Sequence, residues 1–182
     1  SSVTRHPDYY FYDGSLAVLI ENTLFRIFAS TLTRHSRYFH DLPELQFPIG
    51  KGTRGVGQSD DNPLVLDASC IDFERLLWIL YPPRFGGYHP TTAAEWTSIL
   101  HLSTLWSFAD IRALAIESLQ TLPMHPVDKV VLSHKYGIRA RWTLDAYVEL
   151  CERADALSVE EARRLGLETA MRVVQVRERI YR

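Results

Sequence analysis

Leu24–Leu42 reads LFRIFASTLTRHSRYFHDL, and how this stretch is divided decides the fold. It opens with two-residue alternation, Leu24, Arg26 and Phe28 against Phe25 and Ile27, as a strand does. It then changes to helical spacing: Leu32, Ser36 and Phe39 fall at i, i+4 and i+7, with Tyr38 and Leu42 on the same flank. A strand thus feeds straight into a helical pair that carries neighbouring aromatics near its end.

Upstream, Leu16–Ile20 (LAVLI) is apolar on both faces, as a fully buried strand would be. Glu21-Asn22-Thr23 is a short turn, so the two strands are expected to form a hairpin. Residues 1–12 are aromatic and polar with a poor period (Tyr9, Tyr10, Phe11, Tyr12); they are either a docking arm or a short edge strand. Downstream, residues 46–63 are Gly-rich and read as a loop, and Leu64-Val65-Leu66 as a short strand. Ser69 with Asp72 resembles a capping box that opens a helix on Phe73, Leu76, Leu77 and Leu80, which Pro82-Pro83 stops. Ile99, Leu102, Leu105 and Trp106 form the next apolar face, and Ile111, Leu114, Ala115, Leu119 and Leu122 another. Val127, Val130, Val131 and His134 read as a helix closed by Gly137. Leu144, Tyr147, Val148 and Cys151 follow. Ser158 with Glu161 is a second capping box, opening one long helix to about Ile180. Strands come first and helices after, which predicts an α+β fold: a small sheet covered by a helical cluster, with a helical extension.

Of the 182 residues, 46% are apolar and 23% charged, ordinary values for a globular chain. The net charge of −2 argues against a protein held on nucleic acid by bulk electrostatics. Before Pro126 there are 9 basic and 13 acidic residues, and from Pro126 onward 11 and 9. No stretch approaches the roughly 18 consecutive apolar residues of a membrane helix. The start shows no basic-then-apolar leader. Cys70 and Cys151 lie far apart in apolar patterns and are expected to be reduced thiols. An intracellular chain, nuclear or cytoplasmic, is the expectation.

Gly50–Gly57 (GKGTRGVG) contains a literal G-x-G-x-x-G. The dinucleotide fingerprint needs a strand before the glycines and a helix after them. Here neither flank qualifies, so a flexible loop and no bound cofactor are expected. The seven histidines lack ligand spacing: His35 and His40 are five apart, His125 and His134 nine. Without C-x-x-C or H-E-x-x-H no metal is expected, and most of these histidines should be at the surface or half-buried. No G-x-S-x-G is present and neither cysteine has a catalytic setting, so no enzyme is expected. Arg163, Arg164, Arg172, Arg177, Arg179 and Arg182 interleave with Glu160, Glu161, Glu168 and Glu178. That is the pattern of a salt-bridged surface rather than a nucleic-acid face. The aromatics Tyr9–Tyr12, Phe85 and Tyr88 are many for loops; they either form an interface or cover their own sheet.

The opening stretch resembles the signature of the BTB/POZ domain, a strand F-x-x-H followed by a small residue, a Leu and R-S-x-Y-F-x-x-M/L. The matching residues are Phe25, Ala29, Leu32, Ser36, Tyr38, Phe39 and Leu42, with Phe28 where the family often has His. FERLLWILY (Phe73–Tyr81) resembles the family's F-x-x-L-L-x-Y-x-Y helix, and Leu100–Leu119 its following helix pair. The longer Gly-rich insertion and the Pro82–Tyr88 segment, in place of a tight Y-T-G hairpin, resemble divergent members expanded in fungi. The resemblance implies a BTB/POZ-like domain over residues 1–122 and a helical extension over 123–182. It implies a protein–protein interaction module that homodimerises through Leu16, Val18, Ile20, Leu32, Tyr38 and Leu42. It also implies a possible adaptor role on a cullin scaffold. Leu42 and Glu44 (a φ-x-E motif), Tyr81 and Phe85 would face the cullin. The alternative is part of a transcription regulator whose nucleic-acid-binding region lies outside this chain.

Overall fold

A computed structural model describes residues 2–46, 55–82, 84 and 87–181. The chain divides into two compact units, Ser1–Leu119 and Gln120–Arg182.

The first unit is α+β. Strands β1 (Thr4–Tyr10), β2 (Leu16–Ile20), β3 (Thr23–Ile27) and β4 (Leu64–Val65) form one mixed sheet in the order β1-β3-β2-β4. β2 and β3 are an antiparallel hairpin whose register runs from Leu16↔Ile27 to Ile20↔Thr23. The two-residue turn places Glu21 at φ 53°, the left-handed geometry that tight hairpins require. β1 joins β3 in parallel and β4 joins β2 in parallel. The aromatic arm is therefore an edge strand. Its register slips between Arg5 and Tyr10. There the buried His6 ring accepts the N–H of Asp8 (3.2 Å) and of Tyr9 (3.1 Å) and stacks on Phe25 at 4.8 Å. His6 is the buried exception among histidines expected mostly at the surface or half-buried: its ring takes the place of strand partners that Asp8 and Tyr9 lack.

After β3 come α1 (Ala29–His35), α2 (Arg37–Asp41) and α3 (Pro43–Gln46). Ser36 is extended (φ −123°, ψ 125°) and ends α1 while starting α2. Its hydroxyl donates to the Trp106 carbonyl (2.5 Å) and accepts the Phe39 N–H (3.0 Å). α4 (Cys70–Leu80), α5 (Ala93–Leu105) and α6 (Ala109–Thr121) complete the unit. A run of ring contacts ties sheet to helices: Phe25 to Phe73 (4.9 Å), Phe73 to Trp106 (5.8 Å), Trp106 to Phe39 (5.4 Å) and Phe39 to Phe108 (5.9 Å). The first three are edge-to-face, the arrangement that ring quadrupoles favour. Leu105, expected on the buried face of α5, is half exposed instead, because α5 turns Trp96, Ile99, Leu100 and Leu102 inward.

The second unit contains α7 (Pro126–Tyr136), a 3-10 turn (Ala140–Thr143), α8 (Leu144–Glu152), α9 (Val159–Leu165) and α10 (Leu167–Ile180). Val127, Val130, Ala146, Leu150, Cys151, Leu165 and Val173 form its core. Gly137, at φ 58°, closes α7 as expected. The single long helix expected from Ser158 to Ile180 is two helices, because Gly166 at φ 82° interrupts it. Only glycine takes that angle without strain.

Candidate functional site

Four of the six residues carried over to a dimer surface have no surface to offer. Leu16, Val18, Ile20 and Leu32 retain 2%, 0%, 0% and 0% of their accessible area. β2 is an inner strand with β3 and β4 on its two sides, so its apolar side chains are spent on the unit's own core. Leu32 is likewise wholly enclosed. Tyr38 stays 41% exposed and Leu42 half-buried. These two line a shallow cleft of about 380 Å³ with Arg37, Asp41, Pro43 and Ser107. Glu44 is exposed on α3 beside it. The cleft is where the surviving dimer and cullin candidates of the α2–α3 region meet.

Tyr81 belongs to a different neighbourhood. Its ring meets Phe11 at 5.2 Å, Tyr9 at 6.4 Å and Phe28 at 6.5 Å, and its hydroxyl oxygen accepts the Phe28 N–H at 3.1 Å. Tyr9 and Phe11 therefore cover their own sheet. Burial, with Glu74 and Asp8 adding negative charge, pushes the Tyr9 hydroxyl up to about 12. Tyr12 and Tyr88 do stand out from the surface. Phe85 lies outside the described residues.

Only the second half of the Gly-rich segment is described, since residues 47–54 fall outside. That half is fastened rather than loose. Gly57 accepts the Ala17 N–H at 2.7 Å and donates to Asn62 at 2.7 Å. A Cβ at Gly57 would stand 2.4 Å from Leu16 Cδ1, and φ is 82°, so this glycine serves a close approach to β2. Asp60 holds the returning chain: it accepts from Tyr10 Oη (2.5 Å), Arg5 (3.0 Å) and Arg26 (3.3 Å). Burial pushes its carboxyl up, but these donors and the two guanidinium charges outweigh it and hold the group below the usual carboxylate value.

The second unit carries a larger concavity, a groove of about 790 Å³ along α8 and α10, within the range of ligand-binding clefts. The sequence names Leu144, Tyr147, Val148 and Cys151 as the apolar positions that follow Gly137. The helix buries Ala146, Leu150 and Cys151 and leaves Leu144 and Val148 exposed. Val148 then forms one wall of the groove, with Val176 and Ile180 of α10 opposite. Tyr147 Oη and His134 Nε2 stand 3.3 Å apart on its lining. Burial raises both the Cys151 thiol and the Tyr147 hydroxyl, the second against the lowering charge of Arg172. Sequence patterning missed this groove, although one signal was available: α8 contains Asp145, Glu149 and Glu152 and no base.

The arginines are largely engaged, as their interleaving with acids implied. Arg163 pairs with Glu160 and Arg172 with Glu168, each at 2.6 Å, and Arg164 with Asp128. Arg177 closes the end of α8, where its guanidinium donates to the carbonyls of Leu150 (2.9 Å), Arg153 (2.8 Å) and Ala154 (3.3 Å). Both cysteines are unpaired thiols. Among the described residues no three His, Cys, Asp or Glu side chains gather as metal ligands, and no helix is long and apolar enough to cross a membrane. In comparisons with known proteins, no family model matches the chain and no curated protein matches it.

Proposed function

We propose that the chain is a protein–protein interaction module of BTB/POZ type that self-associates and acts as an adaptor, with a cullin-type ubiquitin ligase as its scaffold. The observation that carries this reading is where the signature residues lie. Phe25, Leu32, Ser36, Phe39, Phe73, Leu76, Leu77, Leu102 and Trp106 are buried, while Ala29 and Leu42 are half-buried and Tyr38 is exposed. They sit on a hairpin, two short helices, a further helix and a helix pair, in the order the motifs require.

The dimer surface in this reading is the Tyr38–Leu42 face, where apolar area is still exposed. Light scattering across about a hundredfold dilution tests it on wild type and on Tyr38→Asp. A wild-type dimer that the substitution converts to a folded monomer supports the reading. A monomeric wild type over the whole range overturns self-association through this face. Leu32→Asp is the wrong probe, because an aspartate at that enclosed position unfolds the unit. For the adaptor role, Glu44→Lys should weaken binding of the purified chain to a cullin N-terminal domain. Absence of wild-type binding at tens of micromolar, an affinity of about −6 kcal/mol, removes the adaptor reading.

A further inference from the structure

We infer that the α8–α10 groove is a docking site for a basic amphipathic helix of a partner protein. The partner helix would lay apolar side chains on Val148, Val176 and Ile180 and set its cations against Glu149 and Glu152. The inference rests on reading the chain as an interaction module and names the chemistry of what that module captures.

Shape comes first. The groove positions Thr169, Val173, Val176 and Ile180 are spaced i, i+4, i+7 and i+11 along α10. That stripe is about 16 Å long at the helical rise, enough to face three turns of another helix. Val148, Val176 and Ile180 are 45%, 43% and 51% exposed, so the groove offers apolar area that its own unit does not cover. An amphipathic helix read through i, i+3, i+4 and i+7 anchors is the partner such a groove accepts.

Charge then selects the partner's polar face. The three acids of α8 have no base among them. Asp145 is occupied by Lys129 Nζ at 2.7 Å. Glu152 lines the groove, Glu149 lines the adjoining cleft that shares Val148 and Glu152 with it and feels the charge of Arg153, and neither carboxylate makes a salt bridge among the described residues. Both lie in the last turn of α8, the negative end of its dipole, where a carboxylate is unfavourable and a cation welcome. Arg177 meets the carbonyls at that end but pairs with neither carboxylate. Arg172, the one arginine lining the groove, is held by Glu168. An acidic or neutral helix would therefore desolvate the Glu152 carboxylate and face Glu149 at the rim without pairing either, whereas Lys or Arg at those places would pair them.

The test titrates the full chain with two dye-labelled peptides of about 14 residues, long enough for the stripe to be covered. One places Leu at i, i+3, i+4, i+7 and i+11 with Lys elsewhere; the other replaces every Lys by Glu. Anisotropy should show the Lys peptide bound at least ~10-fold tighter, with an affinity that falls as salt rises. Val176→Asp should abolish binding, and Glu149→Lys with Glu152→Lys should reverse the preference. All three positions are exposed, so these variants should keep the fold, checked by circular dichroism. Equal binding of the two peptides, a Lys preference that survives the double reversal, or no binding by wild type each overturns the inference. A self-associated form that Val176→Asp dissolves would assign the groove to a second copy instead and also overturn it. Peptide binding is read on the chain whether monomeric or dimeric, so its failure is distinct from failure of the Tyr38 experiment.

Discussion

Ser36 shows how much one side chain can hold. Its hydroxyl is buried and fully committed, donating to the Trp106 carbonyl and accepting the Phe39 N–H. Ser36→Ala removes the start of α2 and leaves both backbone partners without water to turn to. The expected cost is about 2 kcal/mol, the sum of a lost cap and buried unsatisfied groups. Urea unfolding measures it, and a loss below ~0.5 kcal/mol, the ordinary scatter of a surface substitution, would show that Ser36 is not the joint described. The sequence exposed the burial of this residue but not its job. Leu32, Ser36 and Phe39 keep helical spacing and are all buried, yet the backbone is extended at Ser36, so the periodicity runs across a break. A spacing rule records which side chains point inward and is silent on whether the hydrogen bonds between them continue. At Gly57 the reverse happened: the glycine motif was visible, while its reason, the approach of Leu16, needs coordinates.

At the scale of elements, caps mark where helices start, and the same residue types do not always form them. Ser158–Glu161 and Thr92–Glu95 are complete capping boxes. Ser69–Asp72, which has the same look in the sequence, makes no side-chain cap bond. Glu161 does more than cap. Arg153 grips it through two bonds of 2.8 and 2.6 Å, and the Ser158 N–H adds a third at 2.8 Å. The Arg153 hydrogen bond leads in lowering its pKa from 4.5 to about 2. The folded value is the depressed one, so the stability that this clamp adds is complete above about pH 5 and is lost as pH falls from 4.5 toward 2. Glu161→Gln should cost about 1 kcal/mol at pH 7, as a partly exposed charge-assisted bond does, and the gap to wild type should close on acidification. Stability measured from pH 7 down to 3 checks this. A gap that stays constant with pH would mean that the carboxylate charge contributes nothing. The face of α8 was illegible for a related reason: LDAYVELCE is apolar on two sides, and periodicity alone admits either as the buried one.

At the scale of the molecule, what the sequence made legible was the order of elements and the α+β class. What it hid was the division of apolar residues between core and interface. Leu16, Val18, Ile20 and Leu32 look the same in one dimension whether they pack on a second copy or on Phe25 and its neighbours; their burial places them in the core. Charge sharpens what remains at stake. The stretch before Pro126 has 9 basic and 13 acidic residues, a net of −4, and the rest has 11 and 9, a net of +2. Regions of opposite sign attract between copies whatever the apolar surface does, so self-association at low salt has two possible sources. Salt separates them, because at about 1 M the screening length shrinks to ~3 Å while apolar burial is not weakened. A dimer built on Tyr38 and Leu42 should keep its mass in light scattering from low salt to about 1 M, and Tyr38→Asp should dissolve it equally at both ends. A dimer that salt dissolves and Tyr38→Asp spares would come from the charge asymmetry, and the Tyr38–Leu42 cleft would then have no part in self-association.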